Sequence, residues 1–265
     1  ADTGVPWSQL AVLSLAVGAI AVANVTPGVL LAASLAAAGV MLLGVVVRMD
    51  VGARVRLLPQ GTADLRTVCG SGYAAMFALT AASMGLTVYG TAVLQQLRGL
   101  SALWAGYVNG AEALGWTLTA LLVASAAGAW DRRWIRIGAM LVPVSLLVLA
   151  WALPAGPLLV VIAGAALLGA AFGFFWSFMS RRVLAALSDE DRAIGSSAIT
   201  AVRQAGAATG AAIAGVTANL VGFGDGLSME SARAAGVWVH LTALPMALVG
   251  AWAAWRLTSA AVRSA

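Results

Sequence analysis

Two charges stand alone in long uncharged stretches. Glu112 is the only charged residue between Arg98 and Asp131, and Arg203 the only one between Arg192 and Asp225. An ionisable side chain at the centre of an apolar span costs ~2.5–3.5 kcal/mol on insertion scales, so each needs a physical reason to be there. Asn109, Glu112, Trp116 and Thr119 recur at spacings of three and four, which on a helix makes one polar stripe. A carboxyl group in that stripe is a candidate proton carrier or a site for a cationic molecule, with an indole beside it. Arg203 is followed by Gln204, and the two are candidates for contact with substrate. The expected partners of Arg203 are Asp189, Glu190 and Asp191 in the adjoining loop, which its long side chain reaches by snorkelling over ~12 Å.

Other reactive side chains invite simpler readings. Asp131 stands with Arg132, Arg133 and Arg136, where an anchor at the membrane surface and a conformational latch are equally open. Phe172, Phe174, Phe175 and Trp176 lie too close together to face one cavity, so packing is expected. His240 is the only histidine and Cys69 the only cysteine, and both read as structural. One cysteine excludes an internal disulfide and a cysteine-based metal site. There is no H-E-x-x-H, no G-x-S-x-G, no phosphate loop, and no pair of acids within a span. Neither an enzyme nor a cofactor is expected.

The composition decides the medium. Of 265 residues, 62% are apolar and 9% charged, and the mean hydropathy is +0.95. Soluble domains run at roughly 45–50% apolar and about 25% charged. So few charges cannot cover that much apolar surface in water, which excludes a soluble enzyme, a nucleic-acid-binding domain and a disordered chain. Between Asp2 and Arg48 lie 45 uncharged residues. As helix they would measure ~68 Å, twice a hydrocarbon core of ~30 Å, so the chain must turn back near Thr26, Pro27 and Gly28. The same holds for the 44 uncharged residues 137–180, which are interrupted at 153–157 by two prolines and a glycine. Eight spans follow, near 7–25, 29–47, 70–92, 104–128, 137–153, 158–180, 195–221 and 235–256. Pro143 and Pro245 fall inside spans and are expected to kink them.

All 15 basic residues are arginine. Threading eight spans puts twelve of them on one side (48, 54, 56, 66, 132, 133, 136, 181, 182, 192, 256, 263) and only Arg98 and Arg233 on the other. Positive loops face the cytoplasm, so both ends are expected there, in a multi-pass protein of the inner (plasma) membrane. The chain opens at Ala1 without a methionine and without basic residues before its first apolar stretch. That suggests a piece of a longer protein and no signal peptide.

Three stretches resemble the major facilitator superfamily. Leu94, Gln95, Gly99, Ser101, Leu103, Ala105 and Gly106 are similar to the L-Q-x-x-x-G-x-S-x-L-x-A-G run of its multidrug exporters. Gly128, Asp131, Arg132, Arg133 and Arg136 resemble a shortened form of its loop motif G-x-x-x-D-R-x-G-R-R, without the second glycine. Arg203, Gln204, Gly206 and Gly210 resemble the R-Q-x-G-x-x-x-G segment of the fourteen-span drug:proton antiporters, and residues 51–59 look like the linker of that family.

The resemblance implies an all-α polytopic bundle in which 1–47 is the family's extra hairpin and 48–69 an arginine-rich cytoplasmic linker. Residues 70–257 would be the six-span C-terminal half of the transporter, and 258–265 a cytoplasmic tail. It implies proton-coupled efflux of small amphipathic or cationic molecules by alternating access, together with an N-terminal six-span half that this sequence does not contain. The alternative is a stand-alone eight-span scaffold or subunit that transports nothing.

Overall fold

The computed structural model describes residues 4–23, 26, 28–124, 130–224, 226 and 228–259. Among these every regular element is helical. α1 (Trp7–Ala23) and α2 (Val29–Val51) form a hairpin. Gly28 precedes α2 at φ +96°, a left-handed value that a Cβ would disfavour. Pro27, expected in this turn, lies outside the described residues. After the linker, α3 (Val68–Gly85) passes through a π-helical turn (Leu86–Gly90) into α4 (Thr91–Arg98), making one long rod. α5 (Ala102–Val123), α6 (Asp131–Ala155), α7 (Leu158–Ala185) and α8 (Asp189–Leu220) follow. α9 (Met229–Leu241) and α10 (Leu244–Leu257) form a last rod, broken where Pro245 enters the first turn of α10. α6 runs through Pro143 and Pro154 and stops at Gly156, so the turn expected at 153–157 is a helix junction. α5 is described to Val123, and the expected end at 128 lies outside the described residues.

The eight rods coincide with the eight apolar stretches of the sequence. Five of them (Val29–Val51, Val68–Arg98, Asp131–Ala155, Leu158–Ala185 and Met229–Leu257) are long and apolar enough to cross a membrane. The outer surface has the matching character. Leu114, Leu118, Leu121 and Leu122 of α5, Met140, Leu147 and Trp151 of α6, and Leu248 and Trp252 of α10 are all exposed. Stripes of this kind have no place against water.

The packing order within residues 68–257 is regular. α3 is buried on nearly every side and packs along α8 and α10. α7 packs along α5 and α6, and α6 packs against α9 and α10. Label the rods A (α3–α4), B (α5), C (α6), then A′ (α7), B′ (α8), C′ (α9–α10). The contacts are then A with B′ and C′, A′ with B and C, and C with C′. This is an exchanged, pseudo-twofold arrangement of two three-rod units. Successive rods alternate in direction and three is odd, so the units run antiparallel. The hairpin leans on α8, where Ile20, Ala23 and Ala36 meet Ala212.

Glycine permits the closest of these approaches. A Cβ at Gly115 or Gly169 would overlap the Ala166 or Glu112 carbonyl, joining α5 to α7. One at Gly206 or Gly210 would overlap the Phe77 or Ala81 carbonyl, joining α8 to α3. Helices in lipid associate through such close packing, since lipid tails offer no hydrophobic drive between them.

At one end of the bundle the arginine-bearing segments are tied together. The Tyr73 hydroxyl donates to the Gly195 carbonyl at 2.9 Å, and Arg136 Nε to Thr258 Oγ1 at 2.8 Å. Arg182 Nε donates to the Leu257 carbonyl at 3.0 Å, and Arg256 Nε to that of Leu65 at 3.2 Å. Arg56 pairs with Asp191 at 3.1 Å, strapping the linker to the start of α8. Arg98 lies at the opposite end. Its guanidinium donates to the Ala152, Leu153 and Gly156 carbonyls, covering the C-terminus of α6.

Gly210→Val forces α8 away from the α3 backbone, and a loss of about 1–3 kcal/mol is expected. Gly44→Ala, where a Cβ meets nothing within 4 Å, is expected to leave stability unchanged or slightly raised. Thermal unfolding of the two purified variants in detergent checks the contrast.

Candidate functional site: a polar cavity between four central helices

α3, α5, α7 and α8 border a half-open cavity of about 200 Å³. Four residues singled out by their types and spacing line it together: Glu112 and Trp116 from α5, Arg203 and Gln204 from α8. One turn of helix separates Glu112 from Trp116, and the glycine approaches hold both against α7. Thr87 of the π-helical turn lies within hydrogen-bonding reach of the Glu112 carboxyl.

The remaining walls are Phe172, expected from its spacing only to pack, and four residues that no motif marks. Thr80, Ser83 and Met84 reach the cavity from α3, Phe172 from α7 and Ala207 from α8. Thr80, Ser83 and Thr87 recur at the three- and four-residue spacing that had marked α5, so the same test applied to α3 finds them. Ser83 Oγ is used internally, donating to the Thr80 carbonyl at 2.9 Å. Thr80 Oγ1 is buried without a hydrogen-bond partner. Trp116 stacks on Phe172 with ring centres 5.2 Å apart and lies 6.2 Å from Trp176, and Phe172 stacks on Trp176 at 6.3 Å. The aromatic cluster is therefore divided. Phe175 is fully buried, Phe174 stacks on Trp134, and Phe172 faces the cavity.

Arg203 departs from expectation. Asp189, Glu190 and Asp191 lie in the first helical turn of α8, capped by Ser188, where acids offset the positive end of the helix dipole. Arg203 is 14 residues further along, ~21 Å at helical rise, which is beyond side-chain reach. Asp189 instead pairs with Arg192 and Asp191 with Arg56. Among the described residues no carboxylate pairs with Arg203, whose exposed side chain continues a polar face of α8 through Ser196, Ser197 and Thr200.

Asn109 and Thr119 share the stripe of Glu112 but not its cavity. Asn109 Nδ2 donates to Thr91 Oγ1 at 3.0 Å and to the Leu86 carbonyl at 3.5 Å, so it braces both ends of the π-helical turn. Thr119 bonds to carbonyls of its own helix and to that of Ala170. His240 is buried, and its Nδ1 lies 2.9 Å from the Gly236 carbonyl. Nothing brings it to the cavity.

The loop-motif residues are drawn into local contacts. Asp131 accepts from Arg181 at 2.9 Å, Arg133 lies over the Trp130 ring at 4.6 Å, and Arg136 reaches Thr258 and the Trp255 ring. Gly128 lies outside the described residues. A larger hollow of about 460 Å³ lies in the linker, away from this site. Its charges are already engaged: Asp50 accepts from the Leu57 and Leu58 amides, and Arg56 is paired with Asp191. That hollow is a folded loop, not a binding site. No group of three or more metal-ligating side chains occurs among the described residues.

No protein-family model matches this chain, and no curated protein matches it significantly.

Asn109→Ala removes the brace on the π-helical turn. A loss of ~0.6–1.7 kcal/mol is expected, the range of interhelical hydrogen bonds in membranes. Hydrogen exchange over residues 86–91 should accelerate, while α10 should remain protected.

Proposed function

We propose that this chain supplies one half of a secondary active transporter of the major facilitator kind, preceded by an extra hairpin. In this reading all eight rods span the plasma membrane and both chain ends face the cytoplasm. Three rods are shorter or more polar than a typical span. α5 and α8 carry the cavity residues, and α1 is apolar but only 17 residues long. The missing partner is a six-span N-terminal half, and the work is efflux of small amphipathic molecules bearing a cationic group, coupled to protons.

One observation carries the reading. The exchanged packing of two antiparallel three-rod units leaves a half-open hollow between rods A, B, A′ and B′ that is lined by charged and polar side chains. Transporters of this superfamily carry such inverted repeats nested within each half, with substrate and coupling-ion sites near the midplane at the repeat interface. The exposed polar face of α8 supports the same conclusion. Ser196, Ser197, Thr200, Arg203 and Gln204 would be costly against lipid, and a second half would cover them or enclose water beside them. Alternating access then rocks this rigid half against its partner.

Glu112 is the proposed proton site. Glu112→Gln in the complete transporter should reduce pH-driven efflux of a fluorescent amphipathic molecule bearing a cationic group from everted vesicles at least tenfold, at unchanged membrane level. Efflux equal to that of the unmodified protein would remove Glu112 from the coupling mechanism.

A further inference from the structure

The cavity presents two opposite charges that do not satisfy each other. Glu112 and Arg203 both line it, and neither is in an ion pair among the described residues. Each lies close to a glycine that seats its helix against a neighbouring rod. Glu112 lies three residues before Gly115, the glycine of B that meets the A′ carbonyl of Ala166. Arg203 lies three residues before Gly206, the glycine of B′ that meets the A carbonyl of Phe77. An acid from α5 and a base from α8 therefore line the same hollow. Trp116 and Phe172, stacked on each other, line the same cavity. Thr80 Oγ1 adds a buried hydroxyl with no protein partner, a group that an incoming polar atom would satisfy.

We propose that the cavity takes an aromatic zwitterion: its cationic end at Glu112, its anionic end at Arg203, and its ring system against Trp116 and Phe172. This rests on the transporter reading of the same site and narrows its substrate class. A purely cationic ligand leaves the guanidinium of Arg203 facing a like charge, and a purely anionic one does the same to the carboxylate of Glu112. A molecule with both charges meets each with its opposite. Opposed walls discriminate by repelling the wrong ligand as well as attracting the right one.

Binding is read on the 265-residue chain in lipid nanodiscs, without any transport step. Three probes share one ring system: a fluorescent aryl-piperazine carboxylic acid, its ethyl ester carrying only the cation, and its N-acetyl derivative carrying only the anion. The zwitterion should bind at least tenfold more tightly than either. Arg203→Gln should erase its advantage over the ester, and Glu112→Gln its advantage over the N-acetyl compound. Thr80→Val, a conservative change in volume, should weaken the zwitterion severalfold while leaving the fold intact by circular dichroism. Equal affinity of the unmodified chain for zwitterion and ester would overturn the proposal. So would no binding by a chain that elutes as a single folded species. Loss of the transporter reading would show instead as a complete carrier that moves no substrate, and it would leave these affinities unchanged.

Discussion

The constraint on which this structure rests is the lack of water around it. Leu, Val, Met and Trp are exposed along most of its rods, and in a membrane helices gain little from hiding such side chains from one another. What holds them is contact at the backbone and the pairing of polar groups that have nowhere else to go. Both are visible. Gly115, Gly169, Gly206 and Gly210 bring α5 onto α7 and α8 onto α3 at distances that admit no Cβ. Asn109, Thr119 and Arg98 spend their donors on carbonyls and hydroxyls of neighbouring rods. Polar groups left outside this scheme must lie at the bundle ends or in a cavity, and Glu112, Arg203, Gln204 and Thr80 are in the cavity.

The charges at the ends follow the same logic. The segments 48–66, 130–136, 181–192 and 255–258 come from opposite parts of the chain, yet they meet at one end and bond to one another there. Arginine suits this work because its guanidinium can donate to a carbonyl and lie over an indole with the same side chain, as Arg136 does with Thr258 and Trp255. Arg98, on the far end, is an exception with a local cause: the free carbonyls that close α6 draw a cation to them.

How much of this was legible follows from what periodicity can and cannot encode. Uncharged runs marked where the rods lie, and the spacing of Asn109, Glu112 and Trp116 marked one face of α5. A stripe on one helix says nothing about which helix it meets, so the joining of Glu112 with Arg203 in one cavity emerges only from the packing. The stripe itself divides: Glu112 and Trp116 face the cavity, while Asn109, one turn earlier, lies against the π-helical turn of the first rod. Nothing in the sequence marks that turn. The acids at 189–191 were misplaced for another reason. An uncharged run locates the apolar part of a helix but not the polar first turn that precedes it, and Ser188 caps that turn well before the apolar part begins.

The two units share a backbone plan but not their chemistry. A pseudo-twofold cavity with the same residue on both walls would hold a ligand equally well in either of two reversed orientations. Replacing one wall's charge with its opposite removes that degeneracy: an asymmetric molecule then has one favourable orientation, and the reversed one places like charges together. The energetic difference is largest where water is scarce, because screening is weak there. Glu112 and Arg203 sit three residues before Gly115 and Gly206, so the charges on the two walls differ while the close backbone contacts beside them are kept.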